Sequence, residues 1–462
     1  MKALLNNRGM AILAFGVLLG ISCLAAVYPT VNPTATKSYD AAMVGNIAWM
    51  LVASSMVLLM TPGLAFFYGG MVSKKNIIST MLQSFIALGI VSLLWFFVGF
   101  SLAFGDDVGG WGIIGNPATF FMFNNVGTEA HPTLGSGLPL VLFAAFQLKF
   151  AIITPALITG SFAERVRFWG YVVFINLFII FIYCPLAHMA WHPDGLLFKK
   201  GVLDFAGGTV VHISAGVAAL VGAMVLGKRK ESGEAMPVNI PFVILGTGML
   251  WFGWFGFNAG SALAANSIAI KAFVNTNLAS AVAAIAWIMM DTMRGKKPSA
   301  LGACIGAVVG LVAITPAAGY VNYGPSLFIG FVAAIISNYA VVLFKKTGID
   351  DTLDVFPCHG IGGISGMILT SFFATETFID GSTVAIGGKG LITTGDSNLL
   401  LQHLITLGIV IPFVAISSWI AFKVTAIITP LRVGEDEELE GLDISQHDET
   451  ISIESAAIEP AY

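Results

Sequence analysis

The chain has 462 residues, of which 56% are hydrophobic and only 10% are charged, and its mean hydropathy is +0.86. Because an ordinary soluble domain is roughly 25% charged, this composition excludes a soluble fold and is typical of a protein that crosses a membrane many times. The four cysteines show neither the spacing of a disulfide framework nor that of a zinc site. The sequence predicts no metal, no cofactor and no nucleic-acid partner.

The first 27 residues have the pattern of a signal peptide. Lys2 and Arg8 precede the apolar run GMAILAFGVLLGISCLAAV, and small residues follow at Ala25 and Ala26. Cleavage there would leave the mature N-terminus outside the cell. The alternative is an uncleaved twelfth membrane span.

Eleven further apolar stretches lie between residues 43 and 422, each close to the roughly 20 residues that a helix needs to cross a bilayer. They cover about residues 43–67, 78–104, 138–161, 168–190, 207–227, 239–261, 274–293, 300–318, 325–344, 357–374 and 400–422. The sequence thus predicts an all-α membrane protein with a membrane domain of eleven transmembrane helices.

Charges in the connecting segments predict the orientation. With the N-terminus outside, the inner loops and tail hold fourteen Lys and Arg residues and the outer loops hold five. This difference agrees with the positive-inside rule and predicts a multi-pass protein of the cell membrane with a cytoplasmic C-terminus. The tail, residues 430–462, carries ten acidic residues and one basic residue. It is either a solvated appendage or a regulatory segment.

Two histidines head apolar spans in the same setting. Asp204 precedes His212 by eight residues, and Asp351 precedes His359 by eight. The two pairs lie 147 residues and five spans apart, so their helices enter the membrane from opposite faces. This pattern indicates an inverted-topology repeat, which places a transport path near the bilayer midplane. We predict two inverted five-helix halves followed by a last helix.

The two histidines point to hydrogen bonding with a small polar solute. Burial disfavours the charged imidazole, and a neutral imidazole both donates and accepts hydrogen bonds. Two such rings in contact could share a proton and bind a passing solute. The alternative is a pair of core histidines that only tie helices together. A metal site is less favoured, because two histidines without a cysteine or carboxylate at their depth are a poor ligand set.

The stretch WFGWFGFNAGS, residues 251–261, brings aromatic rings and a hydroxyl towards the outer end of its span. Gly256 and Gly260 form a small-xxx-small pair that permits close helix packing. The side chains predicted to approach an outer vestibule are those of Phe150, Trp191, Trp254, Phe255, Phe257 and Ser261. Aromatic faces attract a small cation by about 2 kcal/mol or more once it is desolvated.

The cost of burying a charge then selects the solute. Moving an ammonium-sized ion into a low-dielectric interior costs on the order of 20 kcal/mol in the idealised estimate and several kcal/mol in practice. Aromatic faces cannot offset that cost along a whole apolar pore. A solute that is a cation at the vestibule and can shed its proton avoids most of it. Ammonium can do this, whereas sodium and potassium cannot.

The chain resembles the ammonium transporters of the Amt/Rh family, of the bacterial Amt type, from about residue 43 to residue 450. The resemblance rests on the motifs TPGLAFFYGGMVSKKN, GSFAERVRF, PLAHMAW, DFAGGTVVHISAG, GWFGFNAGSA, DDTLDVFPCHGIGGISG and LRVGEDEELEGLDISQHDE. It implies a homotrimer with one pore in each subunit, no enzymatic activity, and a role in nitrogen utilisation through transport of ammonium, ammonia or methylammonium.

The resemblance also implies where the cation is captured. Phe150, Trp191 and Ser261 would form the external recruitment site, with the serine hydroxyl accepting from the cation. Asp204 would be a buried acid beneath it that orders the helix end and favours the cation without touching it.

A gate and a pore are implied below that site. The stacked rings of Phe150 and Phe257 would form the gate. His212 and His359 would be the twin histidines past which ammonia is conducted, with or without a following proton.

The resemblance implies a regulatory role for the tail. Gly441, Leu442 and Asp443 would anchor it against the inner face of a neighbouring subunit, where a PII-type signal protein could dock. One alternative is an ammonium sensor with the same fold that signals through its tail, which the short tail disfavours. Another is an intramembrane enzyme, which the lack of a nucleophile or metal triad beside the histidines disfavours.

Overall fold

The computed structural model describes residues 7–35, 38–230, 237–378 and 385–451, and this part of the chain is almost entirely helical. The long helices are α1 (Asn7–Val27), α2 (Ala41–Met71), α3 (Lys74–Phe104), α4 (Leu140–Ser161), α5 (Phe168–Phe178 continuing through Ile179–Tyr183 to Cys184–Trp191), α6 (Gly208–Leu226), α7 (Ile240–Gly260), α8 (Ser267–Met293), α9 (Ala300–Ile314), α10 (Tyr323–Phe344), α11 (Phe356–Ile361 continuing as Gly362–Phe373) and α12 (Asn398–Ile428), and a short helix, Leu196–Lys199, follows α5. Short loop elements are the helical turns Phe121–Phe123, Gly135–Gly137 and Leu391–Thr394 and an antiparallel ladder of β1 (Thr377–Phe378) and β2 (Ala385–Ile386).

Ten helices of the described chain are long and apolar enough to cross a membrane: α1 to α8, α10 and α12. The predicted all-helical membrane architecture is thus confirmed, with the two-residue ladder as a small addition. Helix α9 has 15 residues and α11 joins segments of six and twelve residues, so both fall short of the usual span of about 20. Eleven spans, and a signal peptide at α1, stay predictions.

Helices α2 and α7 pack closely because glycines remove side chains from their contact. A Cβ on Gly246 would lie 2.3 Å from the backbone nitrogen of Phe67, and one on Gly256 would lie 2.7 Å from the Ala53 carbonyl oxygen. Gly260 also faces Ala53. This close approach is what the small-xxx-small spacing of α7 predicts, and it holds the ring-bearing end of α7 in place.

Helices α6 and α11 begin in the same unusual way. Residues Gly208–Ile213 and Phe356–Ile361 are π-helical turns, a rare form that often marks functional sites. The two helices cross at glycines, since a Cβ on Gly216 would lie 2.2 Å from the backbone nitrogen of Gly360. The matching starts of α6 and α11 support the predicted inverted repeat.

The described part of the tail folds back on the start of α3 as α13 (Glu435–Glu440) and α14 (Leu442–His447). Leu442 is fully buried, and its backbone N–H donates to Asn76 at 2.8 Å. The Asp443 carboxylate accepts from the backbone N–H groups of Ile78 and Ser79, at 3.0 and 2.7 Å. The tail is therefore docked at Leu442 and Asp443, and residues 452–462 lie outside the described chain.

Candidate functional site

A cavity of about 480 Å³ opens at the predicted outer face, between the ends of α4, α5 and α7 and the segment before α6. Phe150, Trp191, Asp204 and Ser261, the four residues assigned to recruitment, all line it. The structure thus brings together side chains that lie up to 111 residues apart in the sequence. Gln147, which the sequence reasoning missed, lies on the same helix face one turn before Phe150 and lines the cavity too.

Aromatic rings close the floor of this cavity. The rings of Phe150 and Phe257 stack with centroids 4.1 Å apart and planes 27° apart, and Trp191 meets Phe150 edge-on at 5.9 Å. Phe150 is 1% exposed and Phe257 is fully buried. The Ser261 hydroxyl donates to the Phe257 carbonyl at 2.8 Å, so its oxygen is left free to accept a hydrogen bond from a solute.

Asp204 caps the first turn of α6 and is nearly buried. Its Oδ1 accepts from the N–H groups of Gly207 and Gly208 at 2.8 and 2.5 Å, and its Oδ2 accepts from the N–H of Thr209 at 2.8 Å and from the Thr209 hydroxyl. These donors occupy the four main acceptor positions of a carboxylate. The indole N–H of Trp191 donates to the Asp204 carbonyl at 3.0 Å. Asp204 therefore organises the cavity through the backbone and the Trp191 ring.

The two predicted pore histidines meet. Their Nδ1 atoms are 3.4 Å apart, and Nε2 of His212 is 3.3 Å from the Thr315 hydroxyl oxygen. Thr315 donates its only proton to the Leu311 carbonyl, so its oxygen accepts from His212 and, at 2.9 Å, from Trp254 Nε1. His212 must then carry its proton on Nε2, and its Nδ1 accepts from the Nδ1–H of His359.

Two aromatic residues do not lie where the sequence suggested. Trp254 is below the vestibule and stacks on His212, with centroids 5.4 Å apart and planes 19° apart. Phe255 points to another side of α7 and stacks on Phe273 at 4.1 Å. Neither residue lines the vestibule as expected, because successive residues of a helix point about 100° apart and a step of three residues changes depth by about 4.5 Å. Phe257 is the ring of this group that stacks on Phe150, which lines the vestibule.

The acid of the second repeat is bonded differently from Asp204. Oδ2 of Asp351 accepts from the N–H of Phe356 at 2.7 Å, whereas its Oδ1 is buried without a hydrogen-bond partner among the described residues. Burial raises the pKa of Asp351. Burial first, and then the negative charge of Asp351, raise the pKa of Asp354 to about 7. The segment before α11 thus holds two acids that bind protons more tightly than usual.

A much smaller cavity of about 20 Å³ lies beside His359 and is lined by Tyr68 and Cys358 among others. Pro357 and Cys358 belong to the π-helical turn of α11 and leave His359 in contact with His212. Lys149 is half-buried and, among the described residues, is not part of the vestibule wall. In the described chain no three His, Cys, Asp or Glu side chains are grouped so that they could hold a metal ion.

Side-chain ring contacts run without a break from the vestibule to His359. They run from the vestibule to the Phe150–Phe257 stack, from Phe257 to His212 with centroids 6.1 Å apart, and from His212 to His359 at 5.5 Å. Fold and site together define a multi-pass helical membrane protein with a candidate solute path inside one subunit. Residues 48–451 match the profile of the Ammonium Transporter Family, and the chain belongs to that family.

Similar proteins agree with this membership and with the resemblance seen in the sequence. The chain is 46% identical over 407 residues to an ammonium transporter of Aquifex aeolicus. The matched region covers 88% of this chain and 92% of that protein. It is 43% identical over 406 residues to an ammonium transporter of Bacillus subtilis, covering 88% and 98% of the two chains.

Two solved structures share the fold. Mep2 of Saccharomyces cerevisiae superimposes with a TM-score of 0.80 and 35% identity, over 88% of this chain and 94% of that one. A structure described as Sensor Amt Protein superimposes with a TM-score of 0.79 and 29% identity, over 88% and 98% of the two chains.

Proposed function

We propose that the protein transports ammonium across the cell membrane by capturing the cation at the vestibule and conducting ammonia past the histidine pair, with or without a following proton. The observation that carries the proposal is the continuous order of vestibule, ring stack and histidine pair. Membership of the Ammonium Transporter Family supports the choice of solute.

Capture uses three features of the vestibule. The ring of Trp191 offers a face to a cation, which is worth about 2 kcal/mol or more in a desolvated site. Ser261 has a free acceptor oxygen, because its proton is used on Phe257. Asp204 adds a fixed acid beneath the cavity, held by the first backbone N–H groups of α6.

The cation gives up its proton to solvent water in the open vestibule, so that ammonia alone passes the rings. The Phe150–Phe257 stack leaves only apolar faces at this level, and an unpaired cation there would face a penalty of several kcal/mol. Ammonia carries no such charge. Below the rings, the protons assigned to His212 and His359 leave Nε2 of His359 with a lone pair. That lone pair can accept a hydrogen bond from ammonia on the inner side.

The proposal includes the assembly and setting implied by the sequence. The protein acts as a homotrimer in nitrogen utilisation, with its N-terminus outside after cleavage of the signal peptide and its C-terminus in the cytoplasm. Methylammonium serves as a second substrate. A PII-type protein docks on the inner face near Gly441, Leu442 and Asp443, which are already ordered against the first turns of α3.

Ammonium pulses on liposomes that contain the purified protein test the proposal. We expect ammonium-dependent transport by the wild type, and a changed selectivity when His212 or His359 is replaced by Asp. A fixed carboxylate at the histidine level would stabilise an intact cation, so potassium should then pass. Variants that still exclude potassium and move ammonium normally would contradict the assigned role of the histidine pair.

An ammonium sensor is the second candidate function. It is favoured by the structural similarity to the protein described as Sensor Amt Protein. Methylammonium uptake by cells that lack other ammonium carriers separates the two functions. A sensor would bind the cation at the vestibule without net uptake, whereas a transporter would accumulate it.

A further inference from the structure

A second histidine–acid pair lies outside the pore, where the end of α3 meets the end of α5. His188 is fully buried. Its Nδ1 is 3.0 Å from the carbonyl oxygen of Ala103, and its Nε2 is 3.1 Å from Oδ1 of Asp107. The ring therefore bridges α5 to the outer end of α3 with both of its nitrogens.

The two partners of His188 determine how many protons the pair holds. A carbonyl oxygen and a carboxylate oxygen only accept hydrogen bonds. A neutral imidazole has one N–H, so one of the two contacts would join two acceptor atoms. Both contacts become hydrogen bonds when the ring is an imidazolium. Oδ1 of Asp107 also accepts from the N–H of Gly112 at 2.8 Å, which favours the ionised carboxylate.

The charges around the pair agree with one cation at His188. Oδ2 of Asp107 is buried without a hydrogen-bond partner among the described residues, so a cation at His188 offsets the charge of this carboxylate. His192 stacks on His188 with centroids 4.4 Å apart, but its Nδ1 accepts from the N–H of Asp194 and is therefore unprotonated. The other nearby charged groups are Asp106 and Asp194, the latter paired with Lys199.

The pair is connected to the cation vestibule through Trp191. His188 lies three residues before Trp191 on α5 and accepts from the N–H of His192 at its carbonyl, which ends the helix there. On the other side, Asp107 holds Gly112, and the Gly112 carbonyl accepts from the N–H of Leu196 at 2.8 Å. The same carboxylate thus fixes both the helix end that carries Trp191 and the loop that follows it.

We propose that His188 is an imidazolium paired with Asp107 and that this charged pair is a positioning element for ammonium capture, because it sets the place of Trp191 in the vestibule. The inference rests on the proposed function for the role of Trp191. The protonation of His188 itself does not depend on that function.

Nitrogen NMR tests the protonation directly. The full-length protein is labelled with ¹⁵N-histidine and reconstituted in liposomes at neutral pH, and the His188 signals are assigned by their loss in the His188→Gln variant. We expect two protonated ring nitrogens for His188. A neutral ring, with one unprotonated nitrogen, would overturn the proposal whatever the protein transports.

Uptake kinetics test the positioning role. His188→Gln keeps an N–H for Asp107 but removes the charge, which leaves the buried carboxylate uncompensated. We expect the half-saturation concentration for methylammonium to rise about tenfold while the maximal rate at equal membrane abundance changes little, as when binding alone is weakened. The double variant Asp107→Asn with His188→Gln removes both charges and should recover most of the loss.

A control variant shows whether the change in half-saturation concentration is specific to His188. Lys423→Gln removes a positive charge at an exposed position of α12 that does not line the vestibule and should leave the half-saturation concentration unchanged. The proposal is wrong if His188→Gln behaves like this control, or if the double variant is no better than the single one. A wild type that moves no methylammonium would instead contradict the proposed function, and the NMR result would still decide the state of His188.

Discussion

At the scale of single residues, Asp204 is the side chain whose loss should matter most for capture. Replacing it with Ala removes the acceptor of three backbone N–H groups and one hydroxyl at the start of α6, and each buried donor left unpaired costs about 1–3 kcal/mol. We expect no measurable methylammonium uptake by Asp204→Ala. Asp204→Asn keeps one acceptor oxygen but no charge, and should retain less than half of the activity at equal membrane abundance. Full uptake by the Ala variant would exclude Asp204 from the mechanism.

The raised pKa of Asp354 predicts how the stability of the protein depends on pH. Its pKa rises from the ordinary range near 4 to about 7, through burial first and the charge of Asp351 second. A carboxyl with a raised pKa binds its proton more tightly when folded, so its contribution to stability is fully present below about pH 4 and is lost as the pH rises towards 7. Asp354→Asn should therefore weaken the fall of the unfolding temperature between these values and stabilise the protein at pH 8 relative to wild type.

Thermal unfolding of the detergent-solubilised protein across this pH range measures the effect. Glu440→Gln, at an exposed position in the tail, is the control and should follow the wild-type profile. If Asp354→Asn and wild type lose stability in parallel between pH 4 and 7, the proton is held elsewhere.

The sequence identified the residues that line the vestibule, but it missed residues that contact the histidine pair. Phe150, Trp191 and Ser261 were expected at an outer vestibule as rings and a hydroxyl, the family resemblance implied that Asp204 lies beneath it, and the structure places all four around one cavity. Thr315 was missed, because one threonine in an apolar run carries no signal until its contact with His212 is seen. The sequence also did not predict how deep a side chain lies in the membrane, as Trp254 shows by stacking on His212.

At the scale of whole helices, the crossing of α6 and α11 should control the alignment of the two histidines. A Cβ on Gly216 would lie 2.2 Å from the backbone nitrogen of Gly360, and backbone cannot yield as a flexible side chain can. Gly216→Ala should therefore push α11 away from α6 and greatly reduce ammonium transport. Gly248→Ala, where a Cβ on α7 would meet nothing within 4 Å, is the matched control. Equal transport by both variants at equal membrane abundance would show that the crossing tolerates movement.

Helix positions followed from hydropathy, but helix ends and internal turns did not. The first predicted span, 43–67, corresponds to α2, which runs from Ala41 to Met71. Hydropathy falls at the membrane surface, whereas backbone hydrogen bonding continues beyond it. The π-helical turns of α6 and α11 shift hydrogen bonds by one residue without any sequence pattern that hydropathy detects. The repeated Asp–His spacing was the one sequence signal that these two helices are equivalent.

At the scale of the whole molecule, the tail connects distant inner loops. Arg432 pairs with Glu438 at 2.7 Å and also donates to the Leu226 carbonyl at the end of α6. The backbone N–H of Lys230, just beyond α6, donates to Glu438 as well, and Arg167 before α5 pairs with Glu437 at 2.6 Å. A change in how the tail is seated would therefore reach the inner ends of α5 and α6, and α6 carries His212.

Gly441 is the point at which this seating can be tested. Its φ of +109° is a conformation that side chains disfavour, and a Cβ there would lie 2.5 Å from Cβ and 2.7 Å from the carbonyl oxygen of Lys75. Gly441→Asp should therefore release α14 from the first turns of α3, expose the tail to protease and weaken ammonium transport. Gly434→Ala, where the new Cβ would meet only the end of the Glu437 side chain at 3.3 Å, should change neither property.

The outcomes separate seating from control of the pore. If Gly441→Asp frees the tail but transport at equal membrane abundance is unchanged, the docked tail does not control the pore. If the tail stays protected, the turn accommodates a side chain and the steric argument fails. Reduced transport together with a released tail would show that the inner ends of the pore helices depend on a segment more than 200 residues away in the sequence from His212.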